Sequence, residues 1–158
     1  MSHSSDIHLH LSQFFAVSPD LVCIASREGY FKKVNSSVPR VLGYSEEELL
    51  ARPISSFIIE EDRGETHRTR QRLLEGENLI NFCNRYRAKS GKIVWLEWTS
   101  LYFPEDEVVL GIAKDVTARK ELEKLVEERY NKFKGLATHF KNSIEKDRKS
   151  LAYGLHEE

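Results

Sequence analysis

Apolar and polar positions change their spacing several times along this chain, and each change marks an element. Leu9–Val17 (LHLSQFFAV) predicts a short amphipathic helix, ended by Ser18-Pro19-Asp20, with residues 1–8 read as a flexible leader. Leu21–Ser26 (LVCIAS) predicts a strand, Arg27-Glu28-Gly29 a tight turn and Tyr30–Val34 a second strand, a hairpin with glycine where φ must be positive. Asn35 is expected to cap a short helix through Leu42, with Gly43 as its C′ residue. Ser45-Glu46-Glu47-Glu48 fits the S-x-x-E capping box and predicts a second short helix that ends before Pro53. Ile54–Ile59 reads as a further turn, and Glu61–Glu75 as a helix stopped by Gly76.

The spacing then becomes alternating. Leu79–Lys89 places Ile80, Phe82, Asn84 and Tyr86 on one side and Asn81, Cys83, Arg85 and Arg87 on the other. Ser90-Gly91 turns into Ile93–Phe103, and Pro104-Glu105-Asp106 into a third strand from Val108. In Ile93–Phe103 one face carries Val94, Leu96, Trp98 and Ser100, and the other Ile93, Trp95, Leu101 and Phe103. Two apolar faces imply cover on both, with the N-terminal helix or a second subunit as candidates for the outer one. The order β-β-α-α-α-β-β-β predicts an α+β domain: a five-stranded antiparallel sheet with short helices on one face.

The last strand runs without a loop into Asp115-Val116-Thr117 and then into a charged, helical composition. Asp115 and Thr117 carry short oxygen-bearing side chains suited to the free N–H groups of a first helical turn. Beyond them Leu122, Val126, Arg129, Phe133, Leu136 and Phe140 follow steps of four and three, a heptad seam with one polar intruder. Ile144 adds a second successive step of four, a stutter, and Leu151 and Leu155 continue the stripe. A long coiled-coil helix pairing in a parallel homodimer is the expectation. Gly135 and Gly154 each cost such a helix about 1 kcal/mol relative to alanine.

Composition narrows the function. With 158 residues the chain fits one domain of about 100–150 residues plus an appendage. It is 40% hydrophobic and 31% charged with a net charge of −1, a near-neutral total that gives no support for a nucleic-acid or anionic-membrane surface. No apolar run approaches the ~18–20 residues of a membrane span. The N-terminal sequence lacks the features of a signal peptide, so a cytoplasmic location is expected. Cys23 and Cys83 sit in apolar runs without metal-ligand spacing and read as small buried hydrophobes; no metal site is expected, at His3, His8 and His10 or elsewhere. Arg68, Arg70 and Arg72 spread around their helix as a solvated face, with His67 at the surface beside them.

PDLVCIASREGYFKKVNSS, VLGYSEEELLARP, EEDR, FCNRYRAKSGKIVWLEW and GIAKDVTARK, in that order, resemble a PAS domain over about residues 9–120, with Asp115–Thr117 matching the family's closing D-I/V-T signature. The resemblance implies a sensory, dimerising module, many of whose members hold a small ligand between sheet and helices. A flavin-binding light sensor needs a reactive cysteine where this chain reads SSFIIEEDR, and a haem sensor needs a histidine near Gly76-Glu77-Asn78, where there is none and His67 lies too early. Neither flavin nor haem is therefore expected. Ile58, Phe82, Asn84, Tyr86, Trp98 and Ile112 remain as inward candidates, suited to a small organic ligand or to a filled core.

The end of the chain, DRKSLAYGLHEE, resembles the H-box of one histidine kinase class, with a pattern like E-R-x-R-I-A-R-E-L-H-D-E. That resemblance implies His156 as phosphoacceptor and Glu157, in place of the usual aspartate, as the acid that polarises its imidazole. Tyr153-Gly154 departs from the pattern's Arg-Glu, and no ATP-binding sequence follows, so the chain is expected to be a non-enzymatic piece of a longer kinase. The domains expected are a leader (1–8), a sensor (9–117), a signalling helix (118–144) and the start of a dimerisation helix (145–158). The implied partners are a downstream kinase domain, a response regulator and a second copy. The alternative is a PAS-based docking adaptor with no kinase role.

Overall fold

The computed structural model describes residues 2–156, with the side chains of residues 4–152. It divides into two compact units, Met1–Thr117 and Ala118–Glu158. The first holds α1 (Ser2–Val17), β1 (Leu21–Ser26), β2 (Phe31–Val34), α2 (Ser37–Leu42), α3 (Glu46–Ala51), a 3-10 turn (Ile54–Phe57), α4 (Glu60–Leu74), β3 (Leu79–Arg87), β4 (Ile93–Phe103) and β5 (Val108–Asp115). The second is α5, which runs Thr117–His156 over 40 residues. Helix α1 begins at Ser2 rather than at Leu9, so residues read as a leader are helical.

The five strands pair antiparallel in the order β2-β1-β5-β4-β3. Leu21, Val38, Leu42, Leu49, Phe57 and Leu96 are almost wholly excluded from solvent and form the core between the inner face and the short helices. The α3 capping box is present as predicted: Glu48 N–H donates to Ser45 Oγ at 3.1 Å, and Ser45 N–H donates back to Glu48 Oε1 at 3.4 Å. Gly43 ends α2 at φ 77°.

Asn35 does not cap α2. Ser36 holds the N-cap position without a side-chain bond. The buried Asn35 amide instead accepts from Val22 N–H at 3.0 Å and donates to Asp20 O at 2.9 Å, tying the end of β2 to the start of β1. A buried amide needs both an acceptor and a donor matched, and the strand start supplies both where a helix N-terminus supplies only donors.

Two further departures lie in the sheet. Strict alternation in β3 breaks at a bulge between Leu79 and Phe82, where Asn81 takes a φ of 54°. Ile80, expected inside with Phe82, is therefore turned out and is 67% exposed, while Asn84 and Tyr86 stay inside. In β5 the small residues face inward: Val109, Gly111 and Ala113 are buried and Leu110 and Ile112 are exposed. Ile112 pairs with Thr99, and Leu110 with Leu101, on the outer face. Helix α1 does not cover that face, for Leu101, Phe103, Leu110 and Ile112 are exposed, as are Leu9, Leu11 and Phe14 of α1. Cover by the N-terminal helix, one of the two sources expected, does not occur.

Within α5, Leu122, Val126, Phe133, Leu136, Phe140 and Ile144 are all exposed. Among the described residues no helix is long and apolar enough to cross a membrane.

Candidate functional site: a cavity between the sheet and α4

The inner face of the sheet and α4 flank a half-open cavity of about 300 Å3. Strand parity brings Cys23 from β1, Asn84 and Tyr86 from β3, Trp98 from β4 and Gly111 from β5 to one wall. The opposite wall comes from α4. Its apolar inward residues are Leu73 and Leu74, and stepping back from Leu73 by three, four and seven reaches Arg70, Thr69 and Thr66, all of which line the cavity.

Gly111 decides where the Trp98 ring lies. A Cβ added at Gly111 would stand 3.2 Å from the ring edge and 3.3 Å from Ser100 Oγ, so a glycine lets the indole lie against β5. On its other side the ring tilts against Tyr86, with centroids 6.0 Å apart. Asn84 Nδ2 donates to Thr66 Oγ1 at 3.2 Å, tying β3 to α4 across the cavity. Asn84 Oδ1 and Trp98 Nε1 are buried and have no hydrogen-bond partner among the described residues.

Two titratable groups buried in the lining are uncharged. Burial pushes the Cys23 thiol up to about 12, and burial likewise pushes the Tyr86 phenol far above its ordinary value, so both are neutral at physiological pH. Arg70 departs from the expected solvated face. Its Nη2 donates to Ser26 O at 2.7 Å and Arg27 O at 2.9 Å, securing the β1–β2 turn, and burial lowers its pKa. Arg68, Arg72 and His67 are exposed as expected.

The first turn of α4 is anchored separately. The Asp62 carboxylate accepts from Arg85 Nη2 at 2.6 Å, Arg85 Nε at 2.9 Å and the Arg85 N–H at 2.8 Å. The Arg85 side-chain bonds hold the Asp62 carboxyl below the usual carboxylate range, against a smaller opposing effect of burial. The same guanidinium lies over the Trp95 ring, 5.1 Å from its centroid.

Of the six inward candidates, Ile58, Phe82, Asn84, Tyr86 and Trp98 line the cavity, and Ile112 does not. Ile112 is 45% exposed on the other side of the sheet, because the inner position beside it is given to Gly111 to make room for the indole. Sequence reasoning missed Cys23, Thr66, Arg70, Ser100 and Gly111. The helical steps back from Leu73 could have found Thr66 and Arg70. Among the described residues no group of three or more His, Cys, Asp or Glu is placed to hold a metal ion. The His156 side chain and all of Glu157 lie outside the described residues.

A five-stranded antiparallel sheet with a strand order that joins the first and last strands, short helices on one face and a cavity beneath the longest of them defines a small α+β module. The PAS fold model matches residues 15–121, and the chain belongs to that family. Two solved structures are similar to this chain. One is a domain of the sensory box sensor histidine kinase/response regulator from Geobacter sulfurreducens, with 25% identity and a TM-score of 0.62 over 68% of this chain and 93% of that one. The other is the PAS domain of an HTR-like protein from Haloarcula marismortui, with 26% identity and a TM-score of 0.60 over 70% of this chain and 98% of that one. An RNA-binding light-oxygen-voltage receptor shares the fold at 20% identity and a TM-score of 0.65, over 75% of this chain and 36% of that one. No curated protein matches this chain.

Proposed function

We propose that this chain is the signal-sensing and dimerising part of a two-component sensor histidine kinase. The observation that carries the reading is the double duty of β5. Its inner face, at Val109 and Gly111, is cavity wall, and two residues on from its end at Asp115 the chain is already α5. A ligand that moves the Trp98 ring presses on Gly111 and so on the strand that launches the helix. Asp115 and Thr117 are the signal junction in this reading. The exposed stripe from Leu122 to Ile144 is the seam on which two copies pair in parallel. Changes of register near the Phe140–Ile144 stutter then move His156, which takes the γ-phosphate of ATP held by a kinase domain of the intact protein, with Glu157 as its acid/base neighbour. Phosphate passes from there to a response regulator. The likeness to the Geobacter sensor-kinase domain supports the assignment.

The test is autophosphorylation of the intact gene product with labelled ATP. His156→Gln is expected to abolish labelling, and Asp115→Ala to uncouple labelling from the signal. Undiminished labelling in His156→Gln overturns the phosphoacceptor assignment, and an intact gene product that takes no label at all favours a docking adaptor.

A further inference from the structure

Two buried polar atoms in the cavity wall go unused by the fold. Asn84 is 3% exposed and Trp98 8% exposed, yet Asn84 Oδ1 and Trp98 Nε1 have no partner among the described residues. A buried polar atom without a hydrogen bond costs roughly 1–3 kcal/mol, and this wall carries one lone acceptor and one lone donor. They are neighbours across the sheet. Asn84 pairs with Leu96 and Trp98 with Phe82, so the two residues are diagonal partners about 7–8 Å apart at Cα on the same face. An edge with an N–H beside a C=O is complementary in kind to that acceptor and donor.

The surroundings restrict the rest of the molecule. Tyr86 and the Trp98 ring flank the site, and Ile58, Phe82 and Leu73 line it, so the body of the molecule is apolar and flat. Arg70, the half-buried cation of the lining, is bonded to the Ser26 and Arg27 carbonyls, and the lone Asn84 oxygen would repel an anion. Arg27, Glu28, Arg63 and His67, the other charged or titratable groups of the lining besides Cys23 and Tyr86, are exposed. A carboxylate is disfavoured on these grounds.

We infer that the cavity binds an uncharged lactam or cyclic carboxamide, its carbonyl accepting from Trp98 Nε1 and its N–H donating to Asn84 Oδ1. This deepens the sensor reading by naming the ligand class, and it rests on that reading only in taking the cavity as the sensory site.

Proton–nitrogen NMR of the 158-residue chain tests it directly, because Trp95 and Trp98 are its only indoles. The probes are 2-pyrrolidinone and 2-quinolinone, with 1-methyl-2-quinolinone, which lacks the N–H, and naphthalene, which lacks both groups. Trp98→Phe assigns the indole signals. With either lactam the Trp98 indole N–H resonance is expected to move downfield saturably. 1-Methyl-2-quinolinone is expected to bind about tenfold more weakly than 2-quinolinone, as is 2-quinolinone to Asn84→Leu. The wild-type comparison of the two quinolinones stands even if Asn84→Leu fails to fold. If millimolar lactam leaves the Trp98 indole unmoved, water alone satisfies the two atoms and the inference is wrong. It is equally wrong if naphthalene or the N-methyl compound binds as well as 2-quinolinone. Lactam binding with no change in phosphorylation of the intact protein would instead sink the signalling proposal and leave the ligand class standing.

Discussion

Asp115 and Thr117 are bonded to each other twice. Asp115 Oδ1 accepts from the Thr117 N–H at 3.0 Å and from the Thr117 hydroxyl at 2.6 Å. The Thr117 oxygen in turn accepts from Trp95 N–H at 3.0 Å, and Val116 N–H donates to Trp95 O at 2.9 Å. The first residue of α5 is thereby stitched to β4. Asp115→Ala, which removes an acceptor from the helix start, is expected to cost about 1 kcal/mol. Thr117→Val strips the Trp95 N–H of its acceptor at a buried site and is expected to cost about 1–3 kcal/mol. Urea denaturation followed by tryptophan fluorescence measures both, and a Thr117→Val loss below that of Asp115→Ala would contradict the ranking.

Two glycine-to-alanine changes should move stability in opposite directions. At Gly111 the new methyl meets the Trp98 ring and Ser100, so Gly111→Ala is expected to destabilise by about 1–3 kcal/mol and to alter Trp98 emission. At Gly135, inside α5, a Cβ meets nothing within 4 Å, and Gly135→Ala is expected to stabilise the helix by about 1 kcal/mol. Thermal melts by circular dichroism report both signs.

The Asp62–Arg85 contact predicts a specific acid limb. The folded Asp62 pKa lies below the ordinary carboxylate value of about 3.9, so the ionised pair stabilises the fold above that value. That contribution is lost as pH falls from about 4 through the lower folded pKa. Asp62→Asn is expected to be less stable than the parent at neutral pH, with the gap closing in this acid range. A constant gap from pH 6 downward would show that the carboxylate charge is not what holds α4 to β3.

The α5 stripe predicts self-association. Leu136→Asp puts a charge in the middle of the apolar seam and is expected to shift the chain toward monomer in sedimentation equilibrium, while Leu101→Lys on the outer sheet face separates any contribution from that surface. If Leu136→Asp leaves the association unchanged and Leu101→Lys abolishes it, the sheet rather than the helix pairs the copies.

Most of the fold was legible because turn chemistry and periodicity agreed. Ser45 and Glu48 announce a capping box, Gly43 a helix end, and Val94 to Ser100 an inward face, and each is found where it was expected. What was not legible depends on partners distant in sequence. Strict alternation puts Ile80 on the side of Phe82, and Ile112 is expected among the inward residues. The bulge at Asn81 displaces the first, and the second yields its side of the strand to Gly111, whose role is visible only once Trp98 lies across it. Arg70 was read as solvated because its acceptors are main-chain carbonyls, which no side-chain pattern reveals.

The central place of β5 has a consequence for how the protein is made. The hairpin β1–β2 and the hairpin β3–β4 share no edge, and each completes its pairing only against residues 108–115. A nascent chain that has emerged as far as Phe103 holds two separate hairpins with unpaired edges, the kind of intermediate open to misassembly on the ribosome. Long-range closure of β1 on β5 is the slow step expected of such a topology. When it comes, the strand that seals the sheet is already leading into α5, so a chain cut short before β5 lacks the keystone of its sensor and the origin of its helix together.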